Sequence, residues 1–135
     1  MVNRRPLDRS ATAAAPEFGR LIAVLFEARS PLWRALAASA TVDRPVVVCD
    51  AVSPAQVVEL TASPDLVLDG LLTVARAVGA HRAYLRTPPG IGAVAVRRAL
   101  SRRGDAVRVV IDQTGRTGDV VGDASAYIRL AQLVS

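Results

Sequence analysis

Thiol and imidazole chemistry would each rest on a single residue here, because Cys49 and His81 are the chain's only cysteine and histidine. A nucleophilic thiol needs a base or a cation close by to hold it as thiolate. Cys49 lies at the end of the apolar run PVVVCD, whereas His81 opens a separate run, HRAYLR. If both runs are strands of one parallel sheet, the two side chains fall at opposite ends of it. The spacing therefore predicts a buried, unreactive thiol and a surface or structural histidine. One cysteine excludes an internal disulfide and an all-cysteine cluster within the chain. No convincing Ser-His-Asp or zinc set can be built with a single histidine and a single cysteine.

Carboxylates and glycines offer the remaining chemistry. Asp50 and Asp112 each end an apolar run. Paired, they would suit a metal ion or a ribose hydroxyl; singly, an aspartate at a strand end caps the next turn, and that is the preferred reading. The segment TPPGIG, Thr87 to Gly92, precedes a helix start whose N–H groups could hold a phosphate. Its two prolines remove donors, and it matches neither a P-loop nor a dinucleotide fingerprint. Thr114, Gly115, Thr117, Gly118 and Gly122 could form an anion nest, or an ordinary surface turn. Connecting loop and surface turn are the preferred readings.

The elements that would position these groups follow from periodicity. Residues 1–16 read as a mobile polar tail. Glu17 to Ala28 carries a stripe of Phe18, Leu21, Ile22, Leu25 and Phe26, and Ser30-Pro31 restarts a short helix burying Trp33, Leu36 and Ala37. The β-branched run Pro45 to Asp50 predicts a strand buried on both faces. Ser53-Pro54 opens a helix to about Thr61. Ser63-Pro64 opens the longer one, stopped by Gly79 in a left-handed turn. His81 to Arg86 is a strand with Ala83 and Leu85 on one face and Tyr84 on the other. Ile91 to Arg103 is a helix with Val94, Val96 and Leu100 inward, stopped by Gly104. Ala106 to Asp112 is a strand, Val120-Val121 a short one, and Asp123 caps a last helix, Ala124 to Leu133. Strands separated by helices predict one α/β domain, a mostly parallel sheet flanked by helices over residues 17–135. Any site should lie beyond the carboxyl ends of the strands, at Cys49-Asp50, Thr87 to Gly92 and Asp112 to Gly118.

Composition bounds the function classes. The 135 residues are 51% hydrophobic but 4% aromatic, so Val, Leu and Ala must fill the core. No apolar run approaches the roughly 20 residues of a membrane helix, and no secretion signal is read, so a cytoplasmic location is expected. All 17 basic residues are arginine, and the formal charge is +5. Basic charge without a motif is a weak pointer to nucleic acid, which is not the favoured partner.

Between Arg29 and Gln132 lie five segments in order, SPLWRALAA, RPVVVCDA, SPDLVLDGLLTVARAVGAHRAYLRTPPG, AVRRALSRRG and VVGDASAYI. They resemble the FMN-binding domain of the NADH-binding flavoprotein subunit of respiratory complex I, NADH:quinone oxidoreductase. The resemblance implies an α/β sheet layered with helices. It also implies FMN or NAD as the possible cofactor, held near Asp50, Gly122, Asp123 and Ser125. The last three stand where that family has G-E-x-S/T. The family's phosphate-cradling GRGGAGFP loop is replaced by FEARSP, Phe26 to Pro31, and its lysine by Ala35. Its Asn followed by E-x-E-P is replaced by Asp50, Ala51, Val52, Ser53 and Pro54. The iron–sulfur domain has no counterpart, and no metal is expected. The expectation is a degenerate, non-catalytic binding or accessory module with a protein partner or self-association. The alternatives are a reduced FMN/NADH electron-transfer flavoprotein and, less favoured, an anion or nucleic-acid binder using the helix at Ile91 to Arg103.

Overall fold

The structure is a computed structural model that describes residues 17–112 and 117–135. The predicted tail at residues 1–16, and Thr114 and Gly115 of the candidate nest, lie outside the described residues. Among the described residues, six helices pack against a four-stranded, wholly parallel sheet. We label them α1 (residues 17–27), α2 (Leu32–Ser39), β1 (Val47–Asp50), α3 (Pro54–Ala62), α4 (Pro64–Ala77), β2 (Arg82–Arg86), α5 (Ile91–Ser101), β3 (Arg108–Asp112), β4 (Val120–Asp123) and α6 (Ala124–Val134). The α/β reading of the sequence is what the chain forms.

The sheet order is β3-β2-β1-β4. The run VVCD of β1 lies in the middle of the sheet, as its continuous apolar character requires. Val47, Cys49, Ala83, Leu85 and Val120 join one core with Leu25, Leu36, Leu60, Leu68, Leu71, Val96 and Leu130 from the helices. The helices therefore gather on one face of the sheet. The chain moves from β1 to β2 to β3 in one direction and then returns past β1 to reach β4. Parallel crossovers that share one hand must switch faces when the direction reverses. The described end of the β3–β4 connection obeys this rule, because Gly118 sits on the outer face over Val48. A Cβ at Gly118 would lie 2.6 Å from Cγ2 of Val48 and 3.0 Å from the Val46 carbonyl oxygen.

Local signals act at the helix ends except at Ser53 and Ser63, whose side chains make no capping bond, and at Gly104. Gly79 has φ +74°, and the N–H groups of Gly79 and Ala80 donate to the carbonyls of Arg76 (3.1 Å) and Ala75 (2.8 Å). This paired closure after α4 is the one its sequence predicts. Ser63 occupies the N-cap position of α4, but its side chain makes no capping bond; Pro64 at the first turn already lacks one donor. Gly104 does not stop α5, which ends at Ser101 through Arg102 and Arg103 donating to the carbonyls of Ala99 and Leu100. Arg103 then binds Asp65, Asp69 and Asp105 at 3.2, 2.6 and 2.7 Å, and its place in this cluster fixes the chain's exit. The bond to Asp105, then those to Asp69 and Asp65, hold the guanidinium pKa above its ordinary range against the opposing effect of burial.

Two apolar side chains face opposite to expectation. Val94 is 44% exposed, because Gly92, Ala93, Val96 and Ala99 form the inward face of α5. Small residues fit there: a Cβ on Gly92 would already lie 3.4 Å from both Leu60 and Val57 of α3. Phe26 is 58% exposed and meets Trp33 edge-on at 5.1 Å instead of entering the core, while Leu32 and Leu36 are the buried apolar residues of α2.

Candidate functional site

The carboxyl ends of β1, β2 and β4 bring the candidate residues together. Register aligns Asp50 with Asp123 and with Arg86, and Cys49 with Gly122. Strand alternation puts Asp50, Arg86 and Asp123 on the outer face and turns Gly122 toward the helices. Asp50, Gly122 and Asp123 share an open depression of about 590 Å³ with Val52, Ser53, Gln56, Arg86 and Val121. Ser125 stands beside it, at the start of α6.

Asp50 and Asp112 do not form a pair. They align with Arg86 from either side, so a whole strand separates them, or about 9–10 Å between strand axes. Arg86 reaches Asp50 through its Nη1 at 3.3 Å. Among the described residues, no group of three or more metal-ligating side chains forms.

The start of α6 is closed by its own neighbours. Oδ1 of Asp123 accepts from the Ala126 N–H at 2.8 Å, which makes Asp123 the N-cap its sequence predicts. Oε1 of Gln56 accepts from the Ser125 N–H at 3.0 Å, and Nε2 of Gln56 donates to Oγ of Ser125 at 3.1 Å. These N–H groups are the ones a bound phosphate would use at a helix start. Gly122 has a packing reason for lacking a side chain: a Cβ there would come within 2.7 Å of Leu32 and 3.1 Å of Tyr127. Glycine here admits the core rather than a ligand. The donor set does not fit an FMN phosphate at this position, because the donors are taken and the carboxylate of Asp123 lies in the way.

The segment Phe26 to Pro31, which aligns with the resembled family's glycine loop, forms a closed helix exit. The N–H groups of Arg29 and Ser30 donate to the carbonyls of Phe26 (3.0 Å) and Leu25 (2.9 Å), and Oγ of Ser30 accepts from the Leu32 N–H at 3.3 Å. Arg29 holds φ +58°, the only described non-glycine residue on that side of the map. Glycine is the usual occupant of this position. Arg29→Gly is therefore expected to stabilise the protein by about 0.5–1 kcal/mol, read as a higher urea midpoint at constant slope.

Cys49 and His81 stand where the sequence places them, the thiol fully buried and the imidazole exposed at the amino end of β2. Burial, then the charges of Asp123 and Asp50, push the Cys49 thiol up from its ordinary 9.0. Burial, then Cys49 and Asp123, also raise the Tyr127 hydroxyl above 10.0, against a weaker opposing bond from Gly122. Both groups stay protonated in the folded state at pH values where the unfolded chain loses the proton. Their stabilising contribution is thus complete below about pH 9 and falls as pH rises beyond it. Each contributes a slope of at most about 1.4 kcal/mol per pH unit. The urea midpoint should fall as pH rises above about 9, and Cys49→Ala should flatten the first part of that fall.

Sequence reasoning missed Gln56, which pins α3 to α6, and missed the burial of Thr87, whose hydroxyl oxygen has no hydrogen-bond partner among the described residues. A lone glutamine in a helix carries no positional signal. Thr87 follows Leu85 by two residues and so shares its buried face, which strand alternation would have revealed. No helix among the described residues is long and apolar enough to cross a membrane. Comparison with family models, curated proteins and solved structures finds no match to the chain.

Proposed function

We propose that this protein is a non-catalytic binding or accessory module on a flavoprotein-like scaffold, working in the cytoplasm with a protein partner or with itself. The observation that carries this reading is the start of α6. Asp123 and Gln56 occupy the N–H donors that a flavin or nucleotide phosphate would need. Leu32 and Tyr127 occupy the space beside Gly122. The one thiol is buried and held protonated, so it offers no nucleophile. The one histidine is remote from it.

The competing reading is a reduced electron-transfer flavoprotein that keeps FMN or NADH in the open depression at Asp50, Gly122 and Asp123. Purification separates the two. The expected result is a colourless protein whose spectrum and intrinsic fluorescence do not change with NADH. Protein that purifies yellow, with flavin in stoichiometric amount, would establish the competing reading. Light scattering across a concentration series, with pull-down at fixed salt, would identify the self-associated or partnered form.

A further inference from the structure

Charged side chains line both ends of the sheet. On the outer face, Asp112, Arg86, Asp50 and Asp123 align across the carboxyl end in strand order. At the amino end, Arg108 and Arg82 are register partners on neighbouring strands and share the same face. Parallel neighbours lie about 4.8 Å apart, so the two guanidinium stems rise side by side. Arg44 and His81 lie on the chain entering β1 and β2, and all four side chains are exposed. None of the four is held by an ion pair or hydrogen bond among the described residues. Asp119, just before β4, accepts from the Val46 N–H at 2.7 Å, Asp105 is engaged by Arg103, and Asp43 precedes Arg44 in the chain.

Like charges in register on adjacent strands repel, and they persist at a stability loss unless a counter-charge meets them. The guanidinium fork is suited to phosphate oxygens. Tyr84 and Val110 form the next row on the same face, giving half-buried aromatic and aliphatic surface beside the cations. Cations that track a backbone, next to a surface on which a base can pack, are the components of a single-strand binding platform. We propose that the amino-end edge of the sheet, centred on Arg82 and Arg108, binds the sugar-phosphate backbone of a single-stranded nucleic acid. The proposal places the anion at the end of the sheet opposite the depression at Asp50 and Asp123. It differs from the use of the predicted helix at Ile91 to Arg103, because Arg103, just past α5, is already committed to three carboxylates. It is independent of whether flavin binds.

The test uses the full chain and a fluorescein-labelled oligo-dT, followed by anisotropy while potassium chloride is raised fourfold. Contacts to about three or four phosphates should weaken binding by roughly 20- to 50-fold over that range. Arg82→Gln combined with Arg108→Gln should weaken low-salt binding about tenfold and make the salt slope shallower by about 1.4. Arg97→Gln with Arg98→Gln, on α5, should leave it unchanged. Should the double variant lose its native circular dichroism, Arg44→Gln and Arg108→Gln singly carry the same comparison, each with a slope shallower by about 0.7. Absence of binding at low salt would overturn the proposal, as would binding lost through the α5 variant instead. Tighter binding of poly-glutamate than of the oligonucleotide would also overturn it and assign the edge to an acidic protein.

Discussion

Gly70→Ala is expected to destabilise the protein by about 3 kcal/mol or more. In isolation, alanine is the better helix former by about 1 kcal/mol, so propensity alone gives the opposite sign. Gly70 lies mid-helix in α4, where α6 crosses. A Cβ there would overlap the carbonyl of Tyr127, a backbone group that no rotamer change can move. Relief requires the two helices to separate. α4 and α6 both pack against β1, so separation would open the core around Leu71, Leu72, Leu130 and Tyr127. Overpacking of this kind usually costs about 1–3 kcal/mol, and more when backbone must move. Urea unfolding gives the answer directly. A midpoint at or above that of the parent would mean that α4 and α6 do not cross at this residue.

Replacing Tyr127 should divide into two steps of different size. The side chain is fully buried, and its hydroxyl donates to the Val48 carbonyl at 3.0 Å, joining α6 to the middle of the sheet. Tyr127→Phe keeps the ring and leaves a buried carbonyl short of a partner, so about 1–2 kcal/mol should be lost. Tyr127→Ala also empties the volume between Gly122, Leu32 and α4, and about 3–5 kcal/mol should be lost. Equal losses in the two variants would mean that the hydrogen bond, not the ring, holds α6 in place. Tyr127→Phe should also remove the tyrosine share of the stability decline above pH 10, while Cys49→Ala removes the thiol share.

These two residues mark where the sequence stops being informative. The apolar run at Val46 to Cys49, the left-handed stop at Gly79, and the cap at Asp123 are local, and the residue types alone dictate them. They were enough to set the fold class and to put the candidate residues at the carboxyl ends of strands. The contact of Gly70 with Tyr127 joins positions far apart in the chain, and a glycine inside a helix reads only as a weak spot. Val94 has the residue type of a core position, yet Gly92 and Ala93 take the inward face because α3 lies too close for a larger side chain. The positive φ of Arg29 was hidden for the opposite reason, since an arginine gives no sign of a glycine-like turn. At the site, Asp50, Gly122, Asp123 and Ser125 were grouped only by the resemblance to the flavoprotein domain, whereas the residue types alone paired Asp50 with Asp112. Gln56, which binds Ser125 from another helix, only emerged from the packing.

That glutamine brings the functional reading to a single point. At the start of α6 the N–H groups of Ser125 and Ala126 are satisfied from within, by Gln56 and Asp123, and are not open to a phosphate. Calorimetric titration of the purified protein with FMN measures this most directly. The expected result is no saturable heat and no bound flavin after gel filtration. One-to-one binding that Gly122→Ala or Ser125→Ala abolishes, with the fold intact, would contradict it and restore a cofactor to this end of the sheet.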